Sequence, residues 1–373
     1  FGTAFYGFKA SVQITASHNP AEYNGMKVSR ENALPVGYDT GLGQIKEWIE
    51  AGRECPVAEK RGEVHQIDVR KDYLPFLLKY KEDWSGLKIA MDVSNGMASL
   101  FVHEIFGDEP AYIYDNMDGT FPNHEPNPLV PKNVVDLQKL VAATKADIGI
   151  IFDGDADRVM FVDENSRFIS PDLMIAVLGH YFLEERGEKG YIHQDIRSSK
   201  AVGEYLAPMG GVMNTWRVGR AYAALKLREL DGVYGGELAG HYYFRDFFYS
   251  DSGLLAAILI VNVAAKMKAQ GVSLSQLIGR IEKYQNSGEI NFRLEDKKGA
   301  MDAVRDYFMQ NEKSTAYMDF DGYRVEFPDW WFNIRPSNAE PYLRFICEAT
   351  TKELLDEKVA KVREILTDQF GAK

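Results

Sequence analysis

Two short stretches hold residue types that suit phosphate chemistry. "ITASHNPAEYNGMKV", residues 14–28, leaves an apolar run and sets Ser17 beside His18. It turns at Asn19–Pro20 and at Asn24–Gly25, and returns with Lys27. "DGDADRVMFVD", residues 153–163, alternates Asp153, Asp155 and Asp157 after a strand-like run, and Arg158 follows at once. Three carboxylates on one turn repel one another unless a cation neutralises them, and hard oxygen ligands favour Mg²⁺ or Ca²⁺. The same spacing matches a calcium loop, with Glu164 at its twelfth position. Arg158, however, stands where that loop needs glycine, and the flanks read as strands rather than helices. A merely solvated acidic turn fits poorly between buried strands. An arginine next to metal carboxylates would neutralise an anion that the metal also touches, and a phosphoryl group on Ser17 is such an anion. Ser17, His18, Lys27, Arg158 and the three aspartates thus form a phosphoryl-transfer constellation, one that works by positioning and charge stabilisation.

Two further stretches are weaker alone. "GGELAGHYYF", residues 235–244, places Glu237 and His241 four apart on a glycine-rich turn. A carboxylate reads sugar hydroxyls and a histidine shuttles protons, but a satisfied histidine on a turn has the same pattern. "RPSNAEP", residues 335–341, sets Arg335, Ser337 and Asn338 on a proline-bounded turn that suits a phosphate cradle.

The elements that must position these loops alternate. "SVQIT" reads as a strand and "GLGQIKEWIEAG" as a helix with a glycine stop. "LKIAMDV" (87–93) and "DIGIIFD" (147–153) read as strands, with helices in "GMASLFVHEIFG" and "PKNVVDLQKLVAATKA". The rhythm returns near residues 190 and 232, which predicts parallel or mixed sheets covered by helices. The tail differs: "GEINFRL", "YMDFDGYRVEF" and "WWFNIRP" read as strands, with Asp321–Gly322 as a hairpin turn and a final amphipathic helix. This predicts a separate α+β domain after a linker at residues 286–288.

Composition bounds the rest. The 373 residues are 45% hydrophobic and 26% charged, ordinary globular material, enough for about three domains or four small ones. A formal charge of −12 disfavours nucleic acid and anionic membrane surfaces. Two cysteines, Cys55 and Cys347, make a disulfide framework improbable and fit a reducing cytoplasm. The apolar run at 253–265 falls short of the roughly 20 residues a membrane span needs, and reads as a buried helix.

Together and in this order, the four stretches resemble the α-D-phosphohexomutase family across essentially the whole chain. "TASHNP" looks like its phosphoserine loop, "DGDADR" its metal loop, "GELAGH" its sugar loop and "RPSNAEP" its phosphate loop. The resemblance implies three related mixed-sheet α/β domains plus a C-terminal α+β domain around a central cleft. The expected bounds are 1–65 (the C-terminal part of domain I), 66–167, 168–283 and 284–373. Only 16 residues precede Ser17, so about 80–90 residues of an ordinary first domain are expected to be missing.

The resemblance also implies roles. Ser17 would carry a phosphoryl group and exchange it with a hexose monophosphate through a hexose 1,6-bisphosphate, which also acts as activator. Asp153, Asp155, Asp157 and a phosphoserine oxygen would hold Mg²⁺. His18, Lys27 and Arg158 would surround the transferring group. Glu237 and His241 would hold the sugar, with His241 catalytic, and Arg335, Ser337 and Asn338 the distal phosphate. Arg220 stands where many members have histidine, and would face the substrate phosphate. Ala239 and Ala339 replace hydroxyl residues common in the family. Members for glucosamine phosphate usually have glycine where Ala156 stands, and "HYYFRDFFYSDSG" and "SGEI" are similar to bacterial phosphomannomutases. Mannose phosphate is therefore the expected substrate, with glucose phosphate accepted. A phosphoglucomutase of the same family, or a non-catalytic sugar-phosphate binder, is the alternative. A monomer or weak dimer is expected. A serine hydrolase built on Ser17 and His18 is disfavoured, because adjacent residues rarely align as nucleophile and base.

Overall fold

The computed structural model describes residues 1–337 and 341–372. The strands fall into four sheets. The first is a small antiparallel sheet of Ala10–Ile14, Met26–Arg30 and Leu34–Pro35. Ile14 pairs with Met26 and Gln13 with Lys27, so residues 15–25 form a long hairpin loop and Lys27 returns beside the strand that Ser17 left. One side of this sheet is open: Val12, Ile14 and Met26 are exposed, and helix Leu42–Glu50 has no buried residue.

The second sheet has the order Ala111–Ile113, Ile89–Asp92, Ile148–Phe152, Val159–Asp163, Phe168–Ile169. The first three strands are parallel and the last two antiparallel. Ile89–Asp92 and Ile148–Phe152 are buried at every residue, as their unbroken apolar runs require of strands covered on both faces. The third sheet repeats this plan: Gly211–Trp216, Gly190–Asp195, Tyr234–Gly236, Tyr242–Phe244, Ser250–Asp251. It has the same two parallel and two antiparallel pairings. In both sheets the hairpin that follows the third strand carries a candidate loop, residues 153–158 in one and 237–241 in the other.

Helix Gly253–Ala269 joins the two sheets. It is apolar on nearly all sides and lies in one core shared by both. Asn262, its one interior polar residue, accepts from Trp84 Nε1 at 2.6 Å and donates to Tyr80 O at 2.7 Å, so the polar group is satisfied. Among the described residues no single helix is long and apolar enough to cross a membrane.

The last sheet is antiparallel and has its own core, covered by helices Lys297–Asn311 and Lys352–Phe370. Thr351 caps the second helix by accepting from Leu354 N, and Gly371 ends it with φ +61°. The linker expected at 286–288 is already inside this sheet: Asn286 pairs with Glu348, and Ser287 N donates to Cys347 O. The expected hairpin is present, with strands Ala316–Met318 and Tyr323–Glu326 joined across Asp321–Gly322.

Candidate active site

Ser17 sits at the tip of the first hairpin loop with φ +58°, a left-handed backbone that a non-glycine residue adopts only under constraint. The constraint is local. Ser17 N donates to Thr15 Oγ1 at 2.8 Å, and Asn19 N to Ala16 O at 3.1 Å. Thr15 in turn donates to Asp155 Oδ2 at 2.9 Å, tying the serine loop to the acidic turn. Gly154 marks how closely the two loops approach: a Cβ there would lie 2.5 Å from Ser17 O.

Lys27 Nζ stands 3.4 Å from Ser17 Oγ, 2.6 Å from Asp155 Oδ2 and 2.5 Å from Asp157 Oδ2. Burial would lower its pKa, but Asp157 and Asp155 raise it above the ordinary lysine value, so the ammonium stays charged. His18 Nδ1 is 3.3 Å from Ser17 Oγ. Burial, then the charge of Arg158, pushes its pKa down to about 4 and keeps the ring neutral.

Arg158 is buried, and its Nε donates to Asp153 Oδ2 at 2.8 Å. Asp153 is fully buried; burial first, then Asp157, pushes its pKa up to about 7. Asp155 Oδ1 and Asp157 Oδ1 are buried with no hydrogen-bond partner, and the three carboxylates offer oxygens within 4.8 Å of one another. Three converging carboxylates with unpartnered buried oxygens suit a cation, so this donor set fits a hard divalent metal. Ala156, at the middle of the turn, has φ +60°, and the buried helix starts directly beneath it: a Cβ on Gly253 would lie 2.7 Å from Ala156 O.

The 237–241 loop meets this cluster through an antiparallel bridge between Arg158 and His241, and Val159 N donates to Gly240 O at 3.2 Å. His241 Nδ1 lies 2.8 Å from Asp251 Oδ2 and 3.9 Å from Asp157 Oδ1. Burial would lower its pKa, but Asp157 and Asp251 raise it above the ordinary value. Arg220, expected to face the substrate phosphate, has its Nε on Asp251 Oδ1 at 2.8 Å, and so joins the cluster through Asp251 and His241. Glu237 is buried; Oε1 accepts Gly219 N at 2.7 Å and Oε2 accepts Tyr243 OH at 2.6 Å.

Arg335 is buried near the end of strand Trp330–Pro336, with Nε on Asp321 Oδ1 at 3.2 Å. Ser337 N donates to Tyr342 O at 2.8 Å, closing the turn. Asn338 and Ala339 lie outside the described residues.

Three clusters near the site escaped sequence reasoning. Asp251, in "YSDSG", anchors both Arg220 and His241. Asp195 and Arg197 form a buried pair at 2.8 Å, and Asp195 Oδ2 also accepts Leu238 N of the 237–241 loop at 2.8 Å. Their signal was a carboxylate two before an arginine at a strand end, "QDIR". Asp92, paired with His124 at 3.0 Å, accepts Ser94 N, and Ser94 Oγ donates to Phe152 O just before the acidic turn.

Four loops on four sheets, with a serine, an acidic cation place and buried arginines, have the architecture of a phosphohexomutase, an enzyme that moves a phosphoryl group about a sugar. Comparison with known proteins agrees along the chain. The patterns of the four phosphoglucomutase/phosphomannomutase domains match in order: alpha/beta/alpha domain I at residues 1–54, domain II at 71–166, domain III at 170–284 and the C-terminal domain at 289–365. Phosphomannomutase of Escherichia coli K12 is 35% identical over 379 residues, covering 98% of this chain and 81% of that protein. Phosphomannomutase of Salmonella montevideo is 36% identical over 376 residues, covering 95% and 81%. A crystal structure of a phosphoglucomutase/phosphomannomutase family protein from Burkholderia thailandensis has a TM-score of 0.83 at 27% identity, covering 96% of this chain and 76% of that one. The chain belongs to the phosphoglucomutase/phosphomannomutase family and is a mutase.

Proposed function

We propose that the chain interconverts hexose 6-phosphates and hexose 1-phosphates through a phosphorylated Ser17 and a bound hexose 1,6-bisphosphate. Mannose phosphate is its first substrate and glucose phosphate its second. The observation that carries this reading is the strained Ser17, 3.4 Å from a lysine that bridges Asp155 and Asp157, whose other oxygens lack partners. Asp153, Asp155 and Asp157, with a phosphoserine oxygen, would hold Mg²⁺. When bound, that ion supplies a charge that neutralises the phosphoryl oxygens.

The chain's own residues do the rest. His241, its Nδ1 held by Asp251, offers Nε2 to take the proton from the attacking sugar hydroxyl. That hydroxyl oxygen bonds to phosphorus as the P–Oγ bond of Ser17 breaks, and Lys27 neutralises the departing Oγ. Neutral His18 contacts the same oxygen. The second half-reaction reverses these steps at the other end of the sugar. Glu237, fixed by Gly219 and Tyr243, has carboxylate lone pairs left for ring hydroxyls. Arg335, with Ser337 and Asn338, takes the non-reacting phosphate. Arg220, its Nε held by Asp251, keeps guanidinium N–H groups for the substrate phosphate.

The relatives' name supports mannose. Glucose differs only at C2, which supports its acceptance. Intact mass after incubation with glucose 1,6-bisphosphate tests the reading: a phosphoryl adduct mapping to Ser17, absent in Ser17→Ala, is expected. A coupled assay should rank mannose 1-phosphate and glucose 1-phosphate well above glucosamine 1-phosphate. Lasting absence of the adduct in the wild type would leave a sugar-phosphate binder instead.

A further inference from the structure

The carboxylate of Asp321 stands between two domains. Its Oδ1 accepts Arg335 Nε at 3.2 Å and its Oδ2 accepts the backbone N–H of Val218 at 2.8 Å. Val218 follows strand Gly211–Trp216 of the third sheet, and its neighbour Gly219 donates to Glu237 Oε1 at 2.7 Å. A path of hydrogen bonds, joined by the Val218–Gly219 peptide link, therefore runs from the phosphate loop through the Asp321 side chain to the sugar loop. The hairpin tip that carries Asp321 is fixed on two more sides. Phe320 stacks on Trp216 with centroids 4.9 Å apart. Gly322, at φ +67°, lies so close to strand Trp330–Pro336 that a Cβ would sit 2.3 Å from Ile334 O and 2.7 Å from Arg335 Cα. The tip therefore packs directly against the backbone of Arg335.

We propose that Asp321 is a positioning residue for Arg335. It orients the guanidinium for the substrate's non-reacting phosphate and couples that uptake to placement of the 217–219 segment beneath Glu237. A buried arginine needs a counter-charge before ligand arrives, and Asp321 supplies it. Anchoring Nε fixes the plane of the fork, so less rotamer freedom is lost when phosphate binds. The inference rests on the reading of Arg335 as the phosphate-binding group.

The test uses Asp321→Asn, which keeps the shape but offers one acceptor oxygen where two are needed. Asp321→Ser is a second variant in case the first fails to fold. KM for mannose 1-phosphate is expected to rise about tenfold, with a smaller fall in kcat, as expected for a lost charge-assisted contact. In an Arg335→Ala background the same change should add nothing to KM, whereas a purely structural role would add its full effect. Amide exchange at Val218 and Gly219, measured with no sugar present, should quicken in both variants. This last arm is independent of turnover. A wild type that binds no hexose phosphate defeats the functional reading, and the exchange data still decide the Asp321–Val218 link. Unchanged exchange, or additive KM effects, would overturn the proposal.

Discussion

Gly154→Ala isolates the approach of the serine loop to the acidic turn. The added Cβ would lie 2.5 Å from Ser17 O and 3.3 Å from Pro126 Cβ. An ordinary carbon–oxygen contact is about 3.3 Å, so the serine loop must retreat by roughly 0.8 Å. Gly154 carries no left-handed φ, so the effect is steric rather than conformational. A retreat of that size lengthens the Lys27–Ser17 and Thr15–Asp155 contacts together. Misplacement near 1 Å costs on the order of 100-fold in rate, or about 2.7 kcal/mol of barrier. The serine loop is surface-exposed in part and contributes little core, so the melting temperature should move by only a few degrees. The assay pairs steady-state kcat with the rate at which Ser17 is phosphorylated by glucose 1,6-bisphosphate, followed by intact mass. Both should fall by the same factor. Wild-type kcat and wild-type phosphorylation in a folded Gly154→Ala protein would refute the argument that this contact sets the serine's position.

Three further outcomes are expected. Asp155→Asn removes a carboxylate with an orphaned buried oxygen, and should lose both metal binding by calorimetry and mutase turnover; full activity in excess chelator after dialysis would contradict this. Fully buried His193 is pushed by burial down to about 4 from an ordinary 6.5. The unfolded chain therefore binds the extra proton, so stability is complete above pH 6.5 and is lost as pH falls from 6.5 toward 4. His193→Gln should flatten that limb of urea-unfolding curves by up to roughly 3 kcal/mol, and an unchanged limb would count against it. Asn262→Leu strands Trp84 Nε1 and Tyr80 O, and should destabilise by about 2–5 kcal/mol in chemical denaturation despite the apolar gain; a stabilised variant would show those groups find other partners.

What the sequence revealed depended on how local each feature was. The parallel strands were legible because unbroken apolar runs such as "IGIIF" are forced by burial on two faces. The buried helix at 253–269 was legible for the same reason, and the Asp321–Gly322 hairpin by its turn chemistry. Ser17 and the three aspartates stood out because their neighbours in sequence are also their neighbours in space. Asp251 and Asp195 did not, because each acts on a residue brought to it by the sheet: Asp251 on Arg220 and His241, Asp195 on Leu238. Arg220 illustrates the limit: its charge was noted, but not the Asp251 carboxylate that holds its Nε. Asn286 and Ser287 read as turn residues between domains, and they lie between the matched segments 170–284 and 289–365, yet long-range pairing with residues 347–348 also ties them into the last sheet.

The second and third sheets share one strand order, and their equivalent hairpins touch through the antiparallel bridge of Arg158 and His241. Two copies of one unit meeting by the same turn make an isologous contact, the kind a two-fold dimer makes, here within one chain. Such a pair gives a pseudo-symmetric frame whose halves differ in chemistry, one turn carrying three aspartates and the other a glutamate and a histidine. Lengthening either turn by one residue would break the register of both, so the two turns are constrained in length as a pair.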